Sequence, residues 1–123
     1  MNSGGKMHRF KELIVYQKAL TLTHDIRRLT KRFPKEELYS LTSQMNRAGD
    51  SIALNITEGA GNYSQKEFSK FLGYSIRSAY ECLGCLDIAL ENEFINPNEK
   101  ENIFKNIDEV IAMLVGLQKS LLK

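Results

Sequence analysis

Apolar side chains recur at spacings of three and four along nearly the whole chain, and this one pattern excludes most folds. It is the period of an α-helix with one buried face; a half-buried strand would alternate with period two instead. In the first segment Val15, Ala19, Leu22, Ile26, Leu29 and Phe33 form a single stripe, closed by Pro34. Proline pushes the residue before it out of helical geometry, so a helix stops there. A second segment, from about Glu36 to Glu58, carries Leu38, Leu41, Met45, Ala48, Ile52 and Ile56. Glu36 and Glu37 fall in its expected first turn, where the helix dipole favours anions, and Gly59 and Gly61 are expected to end it in left-handed backbone.

The remaining two segments begin with cap signals. Ser64-Gln65-Lys66-Glu67 reads as a capping box, in which hydroxyl and carboxylate each satisfy an amide at the helix start. Phe68, Leu72, Ser75, Ala79, Leu83, Leu86 and Leu90 follow as a stripe. Asn96-Pro97-Asn98-Glu99 offers an N-cap, a proline at the first helical position and an acid three residues past the cap, ahead of Ile103, Ile107, Val110, Leu114, Leu117 and Leu121. Four helices with short connections predict an all-α, antiparallel up-and-down four-helix bundle.

The chain has 123 residues, 42% hydrophobic and 26% charged, which suits one domain with a real core. Residues 1–9, opening on the polar, glycine-rich MNSGGK, read as a flexible lead-in, and 10–123 as the single domain. The longest apolar run, Val110 to Leu117, is about a third of the roughly 20 residues that cross a bilayer, so no membrane partner is expected. No basic-then-apolar leader is visible, which makes the cytoplasm the expected compartment and reduced thiols the expected state of Cys82 and Cys85.

Beside its core stripe the third helix carries Phe71, Tyr74, Ile76 and Tyr80. An apolar arc this wide exceeds what one seam of a bundle needs, and Phe71, Tyr74 and Tyr80 are therefore expected at a subunit interface. Gly49, Gly73 and Gly84 inside helices suggest close approach of neighbouring backbones, whereas Gly116 reads as a tolerated surface position.

Polar residues form an ordered line as well. Gln44, Arg47, Ser51, Asn55 and Glu58 repeat by three and four beside the second apolar stripe, with Ser78 and Glu81 on the third helix as partners for Asn55 and Arg47. Either they line a ligand site or they form a structural network that fixes helix register; the second is preferred because no nucleophile, base and orienting group stand together. The best basic cluster is Arg27, Arg28, Lys31, Arg32 and Lys35 at the end of the first helix. It suits the negative end of the helix dipole and equally a phosphate backbone. Cys82 and Cys85 lie one turn apart in mid-helix, with only His8 and His24 elsewhere and no strand before them, so they read as packing residues and not as a metal or redox pair. The Gly59-Ala60-Gly61-Asn62-Tyr63 loop matches no phosphate-loop spacing and reads as a turn, with Tyr63 an exposed contact residue. No cofactor, metal or catalytic residue is expected.

The string Gln44-x-x-Arg47-Ala48-x-x-Ser51-Ile52-x-x-Asn55-Ile56-x-Glu58-Gly59, followed by Gly61-x-x-Ser64-x-x-Glu67-Phe68-x-x-Phe71-Leu72, resembles the bacterial four helix bundle protein family. That family includes proteins encoded in intervening sequences of 23S ribosomal RNA genes and is related to accessory variability determinants of diversity-generating retroelements. Phe10-x-x-Leu13-x-Val15-Tyr16-Gln17-x-Ala19 and Phe33-Pro34-x-x-Glu37-x-Tyr39 extend the likeness over roughly residues 10 to 95. The resemblance implies a ring-shaped homopentamer without catalysis, acting as a scaffold for a protein or nucleic-acid partner, or as an RNA- or DNA-binding accessory protein. The chain departs from the family at Tyr16, where tryptophan is usual, and at Asn46 and Asn62, where basic residues are common. The last two changes remove positive charge and count against a strongly basic nucleic-acid surface.

Overall fold

The computed structural model describes residues 13–62 and 64–122; the lead-in and Tyr63 lie outside the described residues. Its helices are α1 (Ile14–Thr30), α2 (Leu41–Ala60), α3 (Gln65–Glu91) and α4 (Pro97–Leu121), with one 3-10 turn, Lys35–Glu37, between α1 and α2. Each helix packs on its neighbours in sequence, and α1 closes on α4. Cross-helix pairs show the antiparallel order: Arg27 reaches Asp50 while Thr30 reaches Asn46, and Lys18 reaches Glu109 while Arg32 reaches Glu99. The result is the expected up-and-down four-helix bundle.

All four stripes meet in one core. Leu22 and Ile26 of α1, Met45, Ile52 and Ile56 of α2, Leu72 and Leu86 of α3, and Ile107 and Leu114 of α4 are fully buried. Each such side chain contributes roughly 1.5–3 kcal/mol by leaving water. Cys82, Cys85 and Ala89 fill the α3 seam between the larger residues, while Leu83 and Leu90 pack at its margin. One polar bond lies inside this core: the Ser75 hydroxyl donates to the Ile52 carbonyl at 2.6 Å and ties α3 to α2.

The start of α2 corrects the sequence reading. The apolar period runs unbroken from Leu38 to Leu41, yet the backbone breaks at Ser40 (φ −124°, ψ −100°) and the helix begins one residue later. Leu38 is consequently turned outward, 52% exposed, and does not join the core. Glu37 still serves the dipole, now from outside the helix: its carboxylate accepts from the Leu41 amide at 3.4 Å and from the Ser40 hydroxyl at 2.9 Å.

The two later starts differ from each other. Asn96 and Glu99 form the complete reciprocal box, with bonds of 2.8 and 2.9 Å. Ser64 accepts from the Glu67 amide at 3.2 Å, but the return bond does not form, and the Glu67 carboxylate faces Lys70 at 3.8 Å. At the end of α3 the Phe94 amide donates to Ala89 and the Glu93 amide to Leu90, a double closure that requires left-handed backbone at Glu93 (φ 62°). Phe94, thus turned back, meets the ring of Phe33 at 5.8 Å.

Gly59 and Gly61 do not act as left-handed terminators, for no described glycine has positive φ. Gly59 lies within α2 and is buried. A methyl group there would stand 2.7 Å from Cβ of Phe71 and 2.9 Å from Cδ1 of Phe68, so its bare backbone is what lets α3 pack this close.

Candidate functional site

The described side chains contain no group of three or more His, Cys, Asp or Glu able to hold a metal ion. None of the described helices is long and apolar enough to cross a membrane. Three surfaces carry the residues singled out in the sequence.

The first is the polar line on α2. Gln44, Arg47 and Glu58 are exposed, whereas Ser51, Asn55 and Ser78 are half-buried. Gln44 Nε2 donates to the Glu81 carboxylate at 3.4 Å across to α3. The expected Arg47–Glu81 and Asn55–Ser78 pairs do not form. Arg47, three residues past Gln44, is rotated by about 60° away from that seam, and Asn55 turns back to donate to its own helix at the Ser51 carbonyl, 2.9 Å away. Among the described residues the line is a partly exposed edge joined to α3 through Gln44, and the buried α2–α3 bond is that of Ser75. A serine inside an otherwise apolar stripe was the signal for it, since a buried hydroxyl needs a partner.

The second surface is the apolar face of α3. Phe71 and Tyr74 are half-buried and meet edge to face at 5.4 Å, with the Arg77 guanidinium 5.6 Å over the Tyr74 ring. Cβ of Phe71 sits over the bare backbone of Gly59. Tyr80 is different, 59% exposed. Ile88 on α3 and Leu54 on α2 join it as large exposed apolar residues, at 49% and 61%. Neither stood out in the sequence, because a single apolar residue off the main stripe looks like scatter. Gly84 lies between Tyr80 and Ile88 on one helical line, and a methyl group there would touch nothing within 4 Å. This glycine therefore makes no close approach inside the bundle. Gly49 does: a methyl group would sit 2.7 Å from Cδ1 of Ile26.

The third surface is the basic end of α1, where the five cations divide. Arg27 grips Asp50 through both guanidinium nitrogens, at 2.6 and 2.8 Å, a bond that raises its already high pKa. Arg32 is paired with Glu99 at 2.6 Å. Among the described residues Arg28, Lys31 and Lys35 have no ion-pair partner. Lys31 and Lys35 line a groove together with the apolar Phe33, Pro34 and Leu38. Arg28 belongs to a different groove, between α1 and α4, where Asp25 and Glu99 balance the arginines.

Cys82 and Cys85 complete the inventory. Both are buried, one turn apart, and burial is the main reason their thiols are pushed up, Cys82 to about 12 from 9.0; Glu81 adds to both shifts and the Cys85 thiol to that of Cys82. Such thiols are inert packing groups and not nucleophiles.

These features define a class: an up-and-down helical bundle whose distinctive surfaces are an apolar helix face and a lysine-lined groove. The chain belongs to the 23S rRNA-intervening sequence protein family, whose model matches residues 11–116. It is also similar to a crystal structure of a protein of unknown function from the S23 ribosomal protein family of Bacteroides thetaiotaomicron, at 26% identity and a TM-score of 0.80, over 86% of this chain and 96% of that one. No curated protein matches the chain significantly.

Proposed function

We propose that the protein is a non-enzymatic scaffold that works as a homo-oligomer, a pentamer by its family resemblance, and acts by holding a partner in place rather than by a chemical step. The observation that carries this reading is the exposure of large apolar side chains on α2 and α3. Leu54, Tyr80 and Ile88 are each about half exposed or more. Large apolar groups left exposed on a folded chain are candidates for an association surface. Light scattering tests it. The expected outcome is a species of about five times the 14.1 kDa chain mass, reduced by Tyr80→Asp. A 14.1 kDa species persisting at high concentration overturns it.

A second reading, phosphate binding at the end of α1, is favoured by the unpaired Arg28, Lys31 and Lys35 and disfavoured by the carboxylates that already hold Arg27 and Arg32. With about three cations per chain, binding of single-stranded RNA would weaken with salt at a log–log slope near −2 per subunit. Absence of binding at low ionic strength removes this reading.

A further inference from the structure

We infer that the groove at the end of α1 receives the acidic edge of α3 from a second copy of the chain. This rests on the homo-oligomer reading and names the two surfaces that meet. The groove is lined by the apolar Phe33, Pro34 and outward-turned Leu38 and by two lysines, Lys31 and Lys35. Both lysines are exposed and have no ion-pair partner among the described residues. Arg27 beside them is already neutralised by Asp50. The occupant that complements this groove best brings an apolar side chain with negative charges near it.

The chain carries such an edge itself. On α3, Tyr80, Gly84 and Ile88 recur every four residues and so lie on one line. Asp87 and Glu91 are exposed, one before and one turn after Ile88, and neither has an ion-pair partner among the described residues. The open space at Gly84 leaves room for a neighbouring subunit to come close to the α3 backbone. Ile88 thus supplies the anchor for the apolar lining at Phe33 and Leu38, and Asp87 and Glu91 supply the charges for Lys31 and Lys35. A foreign acidic peptide would satisfy the same groove, but would leave the α3 edge uncovered; a second copy accounts for both surfaces at once.

The groove is built from α1, the connector and the start of α2, whereas the edge is built from α3 alone, so the two share no residue. A contact between different patches on identical subunits is heterologous, and repeated head to tail it closes into a ring when the rotation allows.

Charge reversal tests the pairing, with light scattering as the readout and circular dichroism to verify the fold. All four substituted side chains are exposed, so the bundle itself is retained. Lys31→Glu with Lys35→Glu is expected to weaken association at least about tenfold, and Asp87→Lys with Glu91→Lys to do the same, because like charges are brought face to face. Combining all four substitutions is expected to restore the wild-type mass. Mixing the two reversed variants restores contacts only between unlike subunits, so it is expected to give even-numbered or open assemblies. If wild type is monomeric, the homo-oligomer reading itself fails. If wild type associates but either reversal leaves its mass unchanged, or the fourfold variant stays dissociated, the groove–edge contact is overturned while the homo-oligomer reading survives. A groove that loses binding of an acidic peptide on reversal, in a protein whose α3 reversal changes nothing, would assign it to a foreign partner instead.

Discussion

At the scale of single residues, the cysteines show how one side chain can be read correctly from sequence and still carry a further consequence. Their C-x-x-C spacing suggested metal or redox chemistry, and the absence of a strand and of partner ligands argued for packing. Burial supports packing and also fixes how the thiols titrate. A thiol is uncharged when protonated, so burial favours the protonated form, and Cys82 is held at about 12 in the folded chain against 9.0 when exposed. The native state therefore keeps its proton longer than the unfolded state does. The stability this contributes is complete below about pH 9 and is lost as pH rises toward 12, with a slope of up to about 1.4 kcal/mol per pH unit. Between pH 8 and pH 10, urea unfolding is expected to show wild type losing about 1 kcal/mol more than Cys82→Ala, which lacks the titrating group. Equal losses would mean that the thiol is not shielded in solution.

At the scale of elements, α1 was legible from its stripe and the proline after it, and α3 and α4 because stripe and cap agree. The start of α2 was not, since Leu38, Leu41 and Met45 keep the helical period straight through the break at Ser40, and a period cannot report a backbone that changes direction between two apolar residues. The ends of α2 were misread for a related reason. Glycine signals both a left-handed terminator and a close contact, and only the packing of α3 shows that Gly59 is the second. This separates two substitutions that look alike in sequence. At Gly116 nothing lies within 4 Å of an added methyl group, so Gly116→Ala is expected to stabilise by roughly 0.5–1 kcal/mol through helix propensity. At Gly59 the same methyl group meets Cβ of Phe71, an atom fixed to the α3 backbone, so the helices themselves must separate. Overpacking of this kind costs about 1–3 kcal/mol and outweighs the propensity gain. Urea midpoints moving in the same direction for both variants would show that the α2–α3 spacing is softer than its geometry implies.

At the scale of the whole molecule, the bundle closes its core within a single chain and leaves large apolar and charged groups exposed. The legible part of the candidate site was its composition: a basic end on α1, a polar line on α2 and an aromatic excess on α3. Which members remain available was not legible, because it depends on contacts between distant residues. Asp50 takes Arg27, Glu99 takes Arg32, and Gly59 makes room for Phe71, while Lys31, Lys35, Tyr80 and Ile88 are among the groups that stay exposed. If those groups are covered by other copies, folding and assembly are linked, and the native state gains stability by mass action as chain concentration rises. For a pentamer each tenfold increase adds about 1 kcal/mol per chain, and a domain of this size shifts its midpoint by roughly 2–8 °C per kcal/mol. Thermal unfolding at concentrations a hundredfold apart is therefore expected to differ by about 5 °C or more in wild type. The Lys31→Glu, Lys35→Glu variant is expected to show one midpoint at both concentrations, close to that of dilute wild type. A wild-type midpoint independent of concentration would show that the exposed face of α3 contributes nothing to stability through association.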